Sequence, residues 1–135
     1  MKFALCFAAL IAWILLTQST AIADCAGPTI VSVKSDRAAP GETVTVKGSR
    51  FATCDDVGRP GHVPVRLPLT KITILLVQGK HTTPIGTVDA DKDFKISVTV
   101  TIPENASLGP ATIVAEFGPN QRTRPVDLAI KRARA

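Results

Sequence analysis

The sequence predicts an all-β domain built as a sandwich of about seven antiparallel strands. Two runs in which apolar and polar residues alternate flank a Pro-Gly turn between residues 28 and 51, PTIVSVKSDRAAPGETVTVKGSRF. A third run, Phe94 to Ile102 (FKISVTVTI), alternates without a break, and turn residues recur between the apolar runs. Alternation with a period of two is typical of strands that bury one face.

Residues 1–23 do not share this pattern, and they predict a cleaved signal peptide. Lys2 supplies a positive charge, Phe3 to Leu16 is a continuous apolar run, and Ala21-Ile22-Ala23 matches a cleavage site. The apolar run is shorter than the roughly 20 residues that a membrane-spanning helix needs. We therefore expect cleavage after Ala23, no transmembrane anchor afterwards, and a secreted, periplasmic or cell-surface location.

Cleavage would leave residues 24–135 as a single domain with two cysteines, Cys25 and Cys54. An even pair of cysteines in an exported chain predicts a disulfide, which would tie the start of the first strand to the loop after the second. Lipid attachment to Cys25 is the alternative, although Asp24 stands where lipid-modified precursors have a small residue. A metal site using both thiolates has little support, because neither cysteine has a Cys or His at a short ligand spacing.

The predicted strands follow one another along this domain. They are Ile30–Lys34, Glu42–Lys47, Lys71–Gln78, Ile85–Asp89, Phe94–Ile102, Ala111–Phe117 and Val126–Ile130. The third is apolar on both faces, which predicts a central strand covered on each side or a strand at a packed interface. The fourth and fifth are predicted to form a hairpin across an Asp-rich turn.

Several of these stretches together resemble the IPT/TIG group of immunoglobulin-like domains. The opening strands of that group read as Pro, alternating apolar residues, a Pro-Gly turn, Thr-Val-Thr-Val and Gly-x-x-Phe. The matching positions here are Pro28, Pro40-Gly41, Thr43 to Val46, Gly48 and Phe51. The Asp-rich turn before FKISVTVTI and the later stretch LGPATIVA are also similar to secreted bacterial modules of this type. The resemblance implies an immunoglobulin-like β-sandwich, with Gly48 at a turn, Phe51 filling one end, and a binding or spacer role.

The stretch Thr53 to Thr70 is the least regular part of the chain. We predict that a partner binds through this segment, the interaction loop, or through a face of a sheet. The loop is rich in proline and glycine and is long for a connection between strands. Its candidate contact residues are Arg59, His62 and Arg66. Exposed loop histidines are the favoured interpretation of His62 and His81, because no nucleophile motif accompanies them. We therefore do not expect an enzyme.

Calcium binding by Asp89, Asp91 and Asp93 is an alternative with weaker support. Carboxylates at alternate positions resemble part of a calcium loop, but the Gly and the final Glu of an EF-hand loop are missing. A polar turn that keeps the hairpin soluble is the favoured explanation of all three residues. We expect no cofactor, with calcium as the exception to test.

Charge and aromatic content limit the remaining functions. The formal net charge is +5, and the basic residues gather late in the chain, at Arg122, Arg124, Lys131, Arg132 and Arg134. The last three form a tail that is a candidate for contact with an anionic polysaccharide, or a solvated tail that protects an edge strand. Few aromatic residues make nucleic acid a poor partner. The sequence therefore suggests a non-catalytic binding module for an envelope or extracellular protein or an anionic polysaccharide, with a structural spacer as the alternative.

Overall fold

The computed structural model describes residues 26–54 and 65–134, which form two β-sheets packed face to face. The strands within these ranges are β1 (Thr29–Lys34), β2 (Arg37–Ala38), β3 (Thr43–Ser49), β4 (Ile72–Gln78), β5 (His81–Val88), β6 (Ile96–Thr101), β7 (Gly109–Gly118), β8 (Gln121–Arg122) and β9 (Val126–Ile130). Across the same ranges, no helix has the length and apolar character needed to cross a membrane.

The strand order is that of an immunoglobulin-like sandwich. One sheet has the order β1-β3-β6, and the other has the order β2-β9-β7-β4-β5, with β8 paired to β7. Strands β4, β7 and β9 correspond to the C, F and G strands of that fold, and β1 and β3 to its A and B strands. The pairings are antiparallel except that β2 runs parallel to β9. The predicted immunoglobulin-like β-sandwich is confirmed.

The core lies between the sheets and follows the alternation of the sequence. In β6, Ile96 and Val100 are buried while Ser97 and Thr99 are exposed, as the unbroken pattern predicts. The buried core cluster consists of Ile30, Ala38, Val44, Val46, Phe51, Ile72, Ile74, Leu76, Ile96, Val100, Ile102, Ala111, Ile113, Ala115, Leu128 and Ile130. Burial of these side chains supplies the main stabilising free energy of the domain.

Strand β4 is covered on both faces, as its apolar sequence predicts. Ile74 contributes to the core, whereas Leu75 points to the opposite side of the sheet and is still only 5% exposed. Leu75 lies opposite Val114 of β7, which is 6% exposed, and neither residue belongs to the core cluster. The two side chains therefore form a small apolar contact on the outer face of the larger sheet.

The alternation in β1 is interrupted, which the sequence did not predict. The register with β3 shifts between Ile30 and Ser32, so that Val31 is an extra residue and is 66% exposed. This bulge places Val33 opposite Val46, against the core. A bulge also makes an edge strand a poorer template for pairing with another chain.

The predicted hairpin between the fourth and fifth strands is wrong. Strand β5 belongs to the larger sheet and β6 to the smaller one, so the Asp-rich turn connects the two sheets.

Gly48 is a second correction to the expected fold. The resemblance implied a turn at this position, but Gly48 lies inside β3, paired with Ile30 of β1 and Ile96 of β6. A Cβ atom on Gly48 would lie 2.6 Å from Cε2 of Phe51. The glycine is therefore required by close packing within the sheet.

Candidate functional site

One end of the sandwich carries a cleft of about 750 Å³. Strand β3 ends here, β6 begins here, and the turn between β7 and β8 closes the third side. Segments far apart in the sequence therefore meet around one concave surface. The volume falls within the range of about 300–1,000 Å³ that is usual for small-molecule sites.

The predicted interaction loop is closed at its base beside this cleft. The N–H of Thr53 donates to the carbonyl of Leu67 at 2.8 Å, and the N–H of Leu69 donates to the carbonyl of Phe51 at 3.0 Å. The hydroxyl of Thr53 also accepts the N–H of Leu67 at 3.0 Å. These bonds form a short ladder that fixes the two ends of the loop, and with them the backbone next to Arg66.

Three phenylalanines connect the base of the cleft to the core. Phe51 is fully buried, and its ring meets that of Phe117 edge to face, with centroids 6.3 Å apart. The N–H of Phe51 donates to the carbonyl of Phe94 at 2.9 Å, so the segment after β3 is tied to the segment before β6. Phe94 and Phe117 are half-buried and line the cleft. The expectation that Phe51 fills one end of the sandwich is confirmed.

Basic side chains outnumber acidic ones in the lining. Within the described ranges, the charged residues that line the cleft are Arg50, Arg66, Lys95, Arg122 and Asp93. Among the described lining residues, four cations and one carboxylate give a net positive charge, and a concave shape focuses the field of such a charge. The arrangement can hold an anion.

The four cations differ in the hydrogen-bond and ion-pair partners that their side chains already have. Arg50 donates from Nη2 to the hydroxyl of Thr29 at 3.3 Å, and Arg122 donates from Nε to Oε2 of Glu116 at 2.8 Å. In the part of the chain that the structure describes, Arg66 and Lys95 make no ion pair. Among the described residues, no ion pair therefore neutralises their charges.

Left-handed backbone conformations cluster around the cleft. Arg50, Phe94 and Asn120 have φ values of 64°, 61° and 56°, and all three residues line it. A non-glycine residue in this region costs of order 1 kcal/mol or more, and such residues occur preferentially at functional sites. The left-handed residues are a second observation, independent of charge, that makes this end of the molecule a candidate site.

The structure brings only some of the predicted contact residues to the cleft. Arg66 lines it, whereas Arg59 and His62 lie outside the described residues. His81 begins β5 at the opposite end of the sandwich. Arg50 and Lys95 were missed by the sequence analysis, because neither lies in an irregular loop.

Of the two cysteines expected to pair, Cys54 lines the cleft. Cys25 lies outside the described residues, so the predicted disulfide stays a prediction.

The three aspartates of the turn before β6 do not form a metal centre within the described ranges. Oδ1 of Asp89 accepts the N–H of Lys71 at 2.8 Å, and Oδ1 of Asp91 accepts the N–H groups of Asp93 at 2.8 Å and Lys95 at 2.9 Å. No group of three or more His, Cys, Asp or Glu side chains is placed there to hold a metal ion. Asp89 and Asp91 therefore shape the turn through backbone contacts.

We expect Asp91→Ala to lower the free energy of unfolding by about 1 kcal/mol, because two backbone N–H groups lose a charged acceptor at an exposed position. Asp91→Asn keeps an acceptor oxygen and should lose less. Asp93→Ala is the matched control, since no hydrogen bond to its carboxylate is present within the described ranges. Urea denaturation gives the free energy of unfolding of all three variants. Equal losses for Asp91→Ala and Asp93→Ala, together with a calcium-dependent rise in Tm, would favour the calcium alternative instead.

Comparison with known proteins adds little. No protein-family model matches the chain, and no curated protein matches it significantly. Among solved structures, it is similar to a mutant of Salmonella alpha-2-macroglobulin, with 18% identity, a TM-score of 0.47, and coverage of 81% of this chain and 6% of that chain. It is also similar to Salmonella alpha-2-macroglobulin reacted with methylamine, with 21% identity, a TM-score of 0.46, and coverage of 82% and 7%. The chain therefore spans a small fraction of the length of these structures.

Proposed function

We propose that this chain is a secreted or periplasmic, non-catalytic binding module of the IPT/TIG type, which holds an anionic group of an envelope partner in the end cleft. The observation that carries the proposal is the lining of the cleft, in which, among the described residues, four are basic and one is acidic. The proposed anion contacts are Arg50, Arg66, Lys95 and Arg122.

The charges of the cleft favour a carboxylate, phosphate or sulfate group. Arginine presents a planar fork of N–H donors that matches these anions with two parallel hydrogen bonds. Arg66 and Lys95 have no ion-pair partner among the described residues. An anion can therefore bind them without displacing a carboxylate of the protein. The pair between Arg122 and Glu116 is partly exposed, and exposed pairs contribute at most about 1 kcal/mol. Arg122 is therefore free to turn toward a bound anion at little cost.

The backbone around the cations is held in place before any ligand arrives. Phe51 anchors one wall in the core, and its N–H and carbonyl bond to Phe94 and Leu69 on either side. Binding sites that are already ordered lose less conformational entropy when the ligand binds. Fixed backbone on both sides of Arg50 and beside Arg66 thus supports a binding role for this end of the molecule.

A short oligomer of galacturonate is a suitable probe, since it carries repeated carboxylates. Maltotetraose, a neutral oligosaccharide, is the control. We expect a titration followed by NMR to shift the amide signals of residues at the cleft and not those at the opposite end. The triple variant Arg50→Gln, Arg66→Gln, Lys95→Gln should raise the Kd at least tenfold, which corresponds to about 1.4 kcal/mol.

The matched control is Lys34→Gln, Lys47→Gln, Lys80→Gln, which removes the same number of charges from exposed positions that do not line the cleft. This variant should bind within about twofold of the wild type, because distant exposed charges are screened. If both triple variants weaken binding equally, the attraction is a property of net charge and the cleft is not the site.

A further inference from the structure

A second basic surface lies at the opposite end of the sandwich, where the tail after β9 runs beside β2. The N–H of Ala129 donates to the carbonyl of Asp36, and the N–H of Lys131 donates to the carbonyl of Ala38, each at 2.9 Å. These bonds continue the parallel pairing of β2 with β9 and hold the start of the tail against the body. A groove of about 440 Å³ results, which we call the tail groove.

The tail groove combines residues from two distant parts of the chain. The charged residues that line it are Arg37, Lys131, Arg132, Arg134, Asp36 and Glu42. One carboxylate oxygen of Glu42 already accepts the N–H of Ala39 at 2.7 Å. Within the described ranges, none of the four basic side chains makes an ion pair. Four cations beside two carboxylates leave the described lining of the groove with a net positive charge.

The cleft and the tail groove are at opposite ends of the strands. Pro28, just before β1, lines the cleft, and Ser35, just after β1, lines the tail groove. Strand β7 runs between the same two ends, and its 10 residues span about 33 Å at about 3.3 Å per residue. A short anion cannot reach both sites, and a flat charged surface cannot face both ends at once.

We propose that the tail groove is a second anion site and that the chain bridges two segments of a polyanion, a polymer with repeated carboxylate or phosphate groups. This inference rests on the proposed function of the cleft and adds a consequence that one site cannot produce, the cross-linking of polymer strands. Repeated charges on the polymer suit exposed cations that are individually weak, because several modest contacts act together.

The test uses beads coated with polygalacturonate or with long-chain polyphosphate, and neutral dextran beads as the control. Retention of the protein on a coated column reports binding, and light scattering by coated beads reports bridging. We expect the wild type to be retained and to clump the beads. The variant Lys131→Gln, Arg132→Gln, Arg134→Gln should stay on the column but require at least tenfold more protein to clump the beads. The cleft triple variant should behave in the same way.

Two controls keep the result interpretable. The variant Lys34→Gln, Lys47→Gln, Lys80→Gln has the same net charge as the tail variant and should clump beads like the wild type. Truncation after Ile130 removes the tail cations by a different route and should reproduce the tail variant. All these positions are exposed, so an unchanged urea midpoint is expected for each substituted form.

The outcomes separate this inference from the proposed function. If the wild type is retained but does not clump beads, or if the tail variant clumps them as well as the wild type, bridging through the tail groove is wrong. Anion binding by the cleft is then decided separately, by the NMR titration and the cleft triple variant. If the wild type is not retained on either polymer, anion binding itself fails. If anionic lipid vesicles are clustered while polymer-coated beads are not, a polymer is the wrong class of partner.

Discussion

We expect Gly48→Ala to lower the free energy of unfolding by about 3 kcal/mol, the upper end of what overpacking of a core usually costs. The new Cβ atom would lie 2.6 Å from Cε2 of Phe51 and 2.8 Å from the carbonyl oxygen of Thr29. The ring of Phe51 is enclosed by the core, and Thr29 is held in register by its pairing with Ser49. Neither neighbour can retreat without breaking the packing or the ladder.

Two other glycines separate steric clash from backbone strain. A Cβ atom on Gly27 meets nothing within 4 Å, so Gly27→Ala should change stability by less than about 0.5 kcal/mol. Gly79 is equally open but has a φ of 59°, so Gly79→Ala should cost about 1 kcal/mol through strain alone. Chemical denaturation gives the free energy of unfolding of the three variants, which can then be compared. If Gly48→Ala loses no more free energy of unfolding than Gly79→Ala, the close packing of Gly48 against Phe51 and Thr29 is contradicted.

Gly48 also shows where local sequence patterns mislead. A glycine after an alternating run usually indicates a turn, because glycine adopts positive φ without cost. Gly48 instead lies within β3 and leaves space for the ring of Phe51. That requirement comes from the side chain of Phe51, which folds back over the sheet. The Gly-x-x-Phe spacing contains both residues but does not show that they touch.

The regular strands were predictable because burial of one face imposes a period of two. Strand β6 follows this rule without exception, and β4 could be identified as doubly covered from its composition. The short strand β2 was not predicted, since Arg37–Ala38 has no alternation and pairs only with the distant β9. Strand β5 begins at His81, where the sequence predicted the next edge to start, and it includes Pro84 on an edge where a missing N–H is tolerated.

The residues of the cleft were also only partly predictable, because a local sequence pattern does not show which strand ends meet. Arg66 stood out because it lies in an irregular loop, and Arg122 was noted as one of the late basic residues. Arg50 follows β3 directly and Lys95 immediately precedes β6, so each appears in the sequence as an ordinary residue at a strand end. Once the antiparallel order of β3 and β6 is known, both positions fall at the same end. Arg50 and Lys95 can therefore be identified from the sheet topology but not from the composition of the sequence.

We expect Phe51→Ala to lower the free energy of unfolding by about 3–5 kcal/mol, the range for removing a buried aromatic ring. The ring is 0% exposed, packs edge to face against Phe117, and lies beneath the wall that carries Arg50. Its removal leaves a cavity between the core and the cleft. Because the surrounding backbone bonds are retained, the neighbours can collapse only in part, and most of the lost contact area stays unfilled.

Val31→Ala is the control for this truncation, since the side chain is 66% exposed at the bulge and its loss should cost less than about 0.5 kcal/mol. Phe51→Leu keeps part of the apolar volume and should remain folded at room temperature, which allows the cleft to be tested separately from stability. We expect this variant to bind the galacturonate oligomer more weakly than Val31→Ala does, because the smaller side chain anchors the wall that carries Arg50 less firmly in the core. Full affinity in Phe51→Leu would show that the cations of the cleft are positioned without the aromatic anchor.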